Sequence, residues 1–221
     1  MNIKNRIEQI KASLPAHVEL IAVSKTQPVE RIREAMEAGQ LAFGENKVQE
    51  MLPKQEVLPQ AQWHMIGHLQ TNKVKYIVPF IHLIHSVDSM KLLAEINKRA
   101  ARINRVVPCL LQVHIAQEET KFGFSPDELR NILNGTEIHA LQHVQIRGLM
   151  GMATFTPDQD QIRKEFKSLR KLFDILKESS LPKQVSMNIL SMGMSHDYRI
   201  AIEEGSTMIR IGTAIFGERT A

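Results

Sequence analysis

One lysine and two turns of small residues carry the chemistry that can be read from this chain. Lys25 closes the apolar run Ile21-Ala22-Val23-Ser24 and stands directly before Thr26-Gln27-Pro28. A lysine at the mouth of a buried strand loses hydration, which depresses its pKa and frees a neutral amine. A neutral amine is what Schiff-base formation with an aldehyde requires. Taken alone, such a lysine reads as a solvated residue closing a strand. Far along the chain, however, Leu190-Ser191-Met192-Gly193-Met194-Ser195 and Arg210-Ile211-Gly212-Thr213 read as a cup for a phosphate. Ser195 comes just before a helical segment, where unpaired N–H groups and the positive dipole end favour an anion. Gly212 lets the backbone approach closely, and Thr213 adds a hydroxyl donor. Either turn alone could simply close a barrel. Both together, opposite a strand-one lysine, point to an amine-plus-phosphate site.

The elements that must position these residues are short apolar runs, each followed by a segment of helical periodicity. Strands are expected at 20–23, 41–44, 62–66, 81–85, 107–115, 144–149, 186–190 and 208–211. Helices are expected at 29–38, 47–58, 69–78, from Asp88 as N-cap to 104, from Ser125-Pro126 onward, at 159–179 and at 197–204, with one more helix before the first strand. Eight such repeats predict an α/β fold, a single TIM-like (β/α)8 barrel with an extra N-terminal helix, spanning 1–221 as one domain. An open doubly wound sheet is the competitor, but no Gly-x-Gly-x-x-Gly follows the first strand. In a barrel the site forms at the carboxyl ends of the strands. Those ends hold Lys25, Glu45, Asn46, Gly67, His68, Ser86, His114, Met150 to Met152 and the two turns.

Composition excludes several classes. The 221 residues are 43% hydrophobic and 24% charged, ordinary for a globular protein. A net charge of +4 with 5% aromatics and no dense basic run gives no nucleic-acid signal. The single Cys109 lies in an apolar run and cannot form an internal disulfide, which fits a reducing compartment. No apolar stretch approaches the roughly 20 residues that span a membrane, and the N-terminus lacks a signal-peptide core. A cytoplasmic protein is expected.

The motifs around these residues resemble the pyridoxal-phosphate-binding homeostasis protein family. They include Val23-Ser24-Lys25-Thr26-Gln27-Pro28, Phe43-Gly44-Glu45-Asn46 with Gln49-Glu50, and Trp63-His64-Met65-Ile66-Gly67-His68. Glu119-Thr120-Lys121-Phe122-Gly123, Arg147-Gly148-Leu149-Met150, the Leu190–Ser195 turn and Ile209-Arg210-Ile211-Gly212-Thr213 continue the match over nearly the whole chain. The family looks like the barrel domain of alanine racemase and other fold-type III enzymes. The resemblance implies that Lys25 holds pyridoxal 5'-phosphate (PLP) as a Schiff base. It also implies that Ser195, Gly212 and Thr213 form the phosphate cup, that Arg210 faces the pyridine nitrogen, and that Asn46 lies near the ring. The departures are His114 for an asparagine, Met65 for a phenylalanine, and Gly151-Met152 after Leu149-Met150. None touches the cup.

In the resembling racemases a tyrosine from a second domain is the other acid/base group. The chain ends at Ala221, soon after the eighth strand, and its two tyrosines, Tyr76 and Tyr198, sit in helices in unlike contexts. An arginine at the pyridine nitrogen also weakens the ring as an electron sink. The expectation is therefore a non-enzymatic, monomeric PLP carrier or buffer for PLP homeostasis, with apo PLP-dependent enzymes as partners. The alternatives are a weak PLP-dependent amino-acid racemase and an aldolase-like barrel with a cofactor-free Schiff-base lysine. His64 and His68 lack helical spacing for a metal pair, and His82 and His85 are read as opposite faces of one strand.

Overall fold

The computed structural model describes residues 2–117 and 122–217. Within them eight strands close a parallel barrel in sequence order: β1 Glu19–Val23, β2 Ala42–Glu45, β3 Gln62–Met65, β4 Leu83–Val87, β5 Val107–Gln112, β6 Val144–Met150, β7 Val185–Ser191 and β8 Met208–Ile211. Closure is made by β1 against β8, with Ile21 opposite Arg210 and Ala22 opposite Ile211. That register sets the residue after β8 against the residues that end β1, so Gly212 and Lys25 emerge at the same rim. The helices are α1 Ile3–Ser13, α2 Val29–Glu37, α3 Val48–Val57, α4 Val74–Ile77, α5 Met90–Ala101, α6 Pro126–Asn134, α7 Gln159–Glu178, α8 Tyr198–Glu203 and α9 Thr213–Phe216.

Two cores form. The large one lies between strands and helices and takes the outward residues of each strand, Phe43 and Trp63 among them. The small one fills the barrel itself with Ile21, Ala42, Leu83, Leu110, Met150 and Met208. Beside this apolar set the barrel interior also holds the buried polar residues His64, His85, Ser191 and Arg210. Cys109 on β5 is fully buried, and burial pushes its thiol pKa far up.

Several expected boundaries move. β4 starts two residues later than 81, because the Ile81 N–H donates to Ile77 O and closes the preceding turn. The expected helix at 69–78 is only a 3-10 turn, Thr71–Lys73, running into the short α4. The cap of α5 is Ser89, whose hydroxyl accepts from Leu92 N, while Asp88 instead meets His68 Nδ1 at 3.0 Å. α6 opens as expected, with Ser125 and Glu128 in a reciprocal capping box. β5 ends at Gln112, short of 115, and α9 was not expected. The quoted Glu119-Thr120-Lys121 lies outside the described residues.

Candidate functional site

Lys25, Asn46, Ser195, Arg210, Gly212 and Thr213 all line one cavity of about 360 Å³ at the carboxyl end of the barrel. That size falls in the usual range of small-molecule sites, ~300–1,000 Å³. Val23, Ile66, Met152, Phe155, Met194 and His196 complete the lining. Met194 and Met152 had been noticed in sequence; Phe155, 80% exposed yet at the mouth, had not. His114 faces a neighbouring cavity of about 200 Å³ that shares Met152, Phe155 and Met194 with this one. Glu45 and Ser86 do not line the cavity: Glu45 accepts from Ser24 and Lys54, and Ser86 donates to Gly67 O.

Lys25 is half-buried, two residues beyond the end of β1. Its neighbours are fixed from below. Ser24 is buried and donates its hydroxyl to Glu45 Oε1 at 2.6 Å, and Lys54 of α3 donates to the same oxygen at 2.7 Å and to Ser24 O at 2.8 Å. Burial raises the Glu45 pKa, and the Lys54 ammonium partly offsets that rise. On the other side Thr26 sits at φ +64°, where a β-branched residue is strained, with its N–H held by Glu50 Oε2 at 2.9 Å. The lysine thus stands between a buried ion pair and a left-handed turn. Sequence reasoning missed Lys54, although it falls on the buried stripe Val48, Met51, Lys54 of α3.

The opposite wall is built from turns. Gly193 has φ +100°, and a Cβ there would lie 2.7 Å from Ala201 Cβ, so β7 can turn tightly into α8 only with glycine. The turn is locked by Asp197, whose buried carboxylate accepts the Met194 N–H at 2.5 Å. Its Oδ2 lies 3.3 Å from His196 Nε2 without hydrogen-bond geometry, and burial raises the Asp197 pKa. Ser195 Oγ accepts the Gly212 N–H at 3.3 Å, which leaves its hydroxyl proton for an acceptor in the cavity. A Cβ on Gly212 would lie 3.3 Å from Val23, a tight contact made by the close approach of β8 to β1.

Arg210 is 4% exposed and crosses from barrel core to cavity wall. Its Nη1 donates to Ser191 Oγ at 2.6 Å and its Nη2 to Gly151 O at 3.1 Å. Burial pulls its pKa down to about 10, against an opposing pull from Asp197, so it stays charged at neutral pH. The arrangement therefore offers an amine, hydroxyl and N–H donors grouped for an anion, and a fixed cation on the floor.

The family model for the alanine racemase N-terminal domain matches residues 1–220. A pyridoxal phosphate homeostasis protein of Aquifex aeolicus is 44% identical over 203 residues, covering 91% of this chain and 87% of that one. The chain belongs to the pyridoxal phosphate homeostasis protein family. Among solved structures, PipY of Synechococcus elongatus without PLP superposes with a TM-score of 0.91 at 40% identity, over 98% of this chain and 100% of PipY. The same relative has also been solved with PLP bound, at a TM-score of 0.87. Alanine racemase of Clostridium difficile matches at 0.80 with 15% identity, over 100% of this chain and 56% of that one, which shows a shared barrel.

Among the described residues, no helix is long and apolar enough to cross a membrane.

Proposed function

We propose that this family member binds PLP through a Schiff base on Lys25 and acts in PLP homeostasis as a carrier or buffer. The observation that carries the reading is the convergence of an amine, an anion cradle and a buried cation on one cavity. The residues fit the cofactor: Lys25 would supply the amine for its aldehyde, the Ser195 hydroxyl and Thr213, with the close backbone at Gly212, would take the phosphate, and Arg210 would face the ring nitrogen. Asn46, on the cavity wall, would lie near the ring. When bound, the aldehyde supplies reversible covalent attachment to amines.

The residues of the chain then have distinct tasks. Ser195 and the α9 end orient the anion, and Asp197 holds the turn that presents Ser195. Arg210, charged and pinned by Ser191 and Gly151, has no lone pair with which to accept a hydrogen bond and would disfavour protonation of a nitrogen set against it. Neither Tyr76 nor Tyr198 lines the cavity, so no tyrosine among the described residues stands opposite Lys25 as the second acid/base group that inversion needs. Apo PLP-dependent enzymes are the natural recipients.

Absorption spectroscopy tests the attachment. PLP added to the apo-protein should give a visible band, and borohydride should fix the label on Lys25. A label confined to another lysine would overturn the assignment. Release to an apo PLP enzyme should outpace release to a passive PLP trap; equal rates would leave storage and remove directed delivery. Turnover of alanine α-protons at about 1 per second or faster would promote the racemase reading.

A further inference from the structure

A third cavity, of about 200 Å³, opens at the amino end of the barrel strands. Its polar lining includes His17, Glu19, His64, His82 and Arg147. His17, His82 and Arg147 are exposed at its rim, whereas His64 is fully buried at its floor. His64 is also the end of a hydrogen-bonded column that runs up the barrel interior to Arg210. Its Nδ1 lies 3.0 Å from His85 Nε2, His85 Nδ1 lies 3.0 Å from Ser191 Oγ, and Ser191 Oγ accepts from Arg210 at 2.6 Å. The sequence had suggested that His82 and His85 could not act together. In fact His82 precedes β4, and both rings flank His64, with centroids 5.1 and 5.2 Å from it.

The column can run in two directions, and the one that gives the Ser191 proton an acceptor runs from Arg210 down to His64. A guanidinium only donates. With one lone pair of Ser191 Oγ taken, the hydroxyl proton has His85 Nδ1 as its acceptor, which places the His85 hydrogen on Nε2. That N–H donates to His64 Nδ1, so His64 carries its hydrogen on Nε2. Reversing the bonds would deprive the Ser191 proton of the acceptor this column provides. Burial keeps both rings neutral at physiological pH: His64 is lowered to about 3, with His82 adding to the effect, and His85 is held well below its ordinary value. Yet His64 Nε2 is buried without any hydrogen-bond partner among the described residues. A buried donor of this kind calls for an acceptor.

We infer that the amino-end cavity is a binding site for a small oxyanion, which accepts the His64 Nε2–H and is held at the rim by Arg147 and His82. Glu19 is the competing anion. Arg147 acts on it electrostatically, and burial raises its pKa, so the incoming oxyanion and Glu19 share one guanidinium. The site is separate from the carboxyl-end cavity and does not depend on what that cavity binds.

Long-range ¹H–¹⁵N spectra of histidine-labelled protein, titrated with inorganic phosphate near neutral pH, test it. His17, His64 and His82 report the lower cavity, while His196 reports the upper one. The expected result is His64 as the Nε2–H tautomer, with its signals and those of His82 moving saturably at one midpoint. Arg147→Gln should weaken that midpoint roughly tenfold, Glu19→Gln should tighten it, and the His196 response should stay as in the parent. An Nδ1–H tautomer at His64, absence of saturable movement (a water alone then satisfying the nitrogen), or a midpoint indifferent to both variants would each overturn the inference.

Discussion

Two cations are buried near the carboxyl end of this barrel, and they are held in opposite ways. Lys54, beside β1 and β2, touches the carboxylate of Glu45 directly at 2.7 Å. Arg210, on β8, rests on a hydroxyl and a carbonyl, with neutral histidines behind. The first pair is neutral as a unit and stays outside the cavity, so it can serve only as a strut under Ser24 and Lys25. The second leaves its charge directed at whatever enters. Burial alone therefore does not tell a functional cation from a structural one; the partner does.

The largest separation should come from removing partners. Glu45→Ala strands the Lys54 ammonium and should cost about 3–5 kcal/mol in urea unfolding, whereas Glu45→Leu with Lys54→Met should recover most of that loss. Arg210→Met leaves only neutral acceptors unpaired and should cost about 1–3 kcal/mol. Equal losses for Glu45→Ala and Arg210→Met would erase the distinction.

The histidine column behind Arg210 gives a pH signature opposite in sign to that of the Lys54 side, where burial raises the Glu45 pKa. For a base whose folded pKa is depressed, the unfolded chain binds the extra proton as pH falls below the ordinary 6.5. Stability is then complete above pH 6.5 and declines towards the folded value of about 3. His64 alone should remove on the order of 2–3 kcal/mol over two pH units, and His85 steepens the slope. Urea midpoints measured from neutral pH downward check this; a flat profile would mean that the column is not held neutral.

Much of this was legible beforehand. The order of the strands, the rim on which the chemistry gathers and the Lys25, Ser195 and Gly212 turns follow from apolar runs, turn residues and the rule that barrels act at their carboxyl ends, while Asn46 and Arg210 were singled out among the strand ends by the family resemblance. What was not legible depends on side chains from distant strands meeting. Lys54 reads as an ordinary helix lysine until Glu45 is seen beneath it. His82 and His85 read as opposite faces until β4 proves to start at Leu83. Short helices such as α9 carry too few residues for periodicity to register.

Smaller effects sharpen the contrast at the ligand. Ser195→Ala should weaken PLP binding by about 1–3 kcal/mol and pyridoxal binding much less; equal losses would remove the phosphate role. Lys54→Met should leave the ratio of the two affinities unchanged. Smallest of all, Thr26→Asn should relieve the left-handed strain and raise stability by about 1 kcal/mol, read from the urea midpoint.

Cys109 has a practical consequence. Its thiol is fully enclosed in β5, and burial suppresses its ionisation, so the folded protein offers alkylating reagents no thiolate. The chain has no other cysteine to obscure the signal. Covalent labelling of this sulfur therefore keeps time for the opening of the barrel wall: with reagent in excess its rate becomes the unfolding rate, and with sparse reagent it reports the open population.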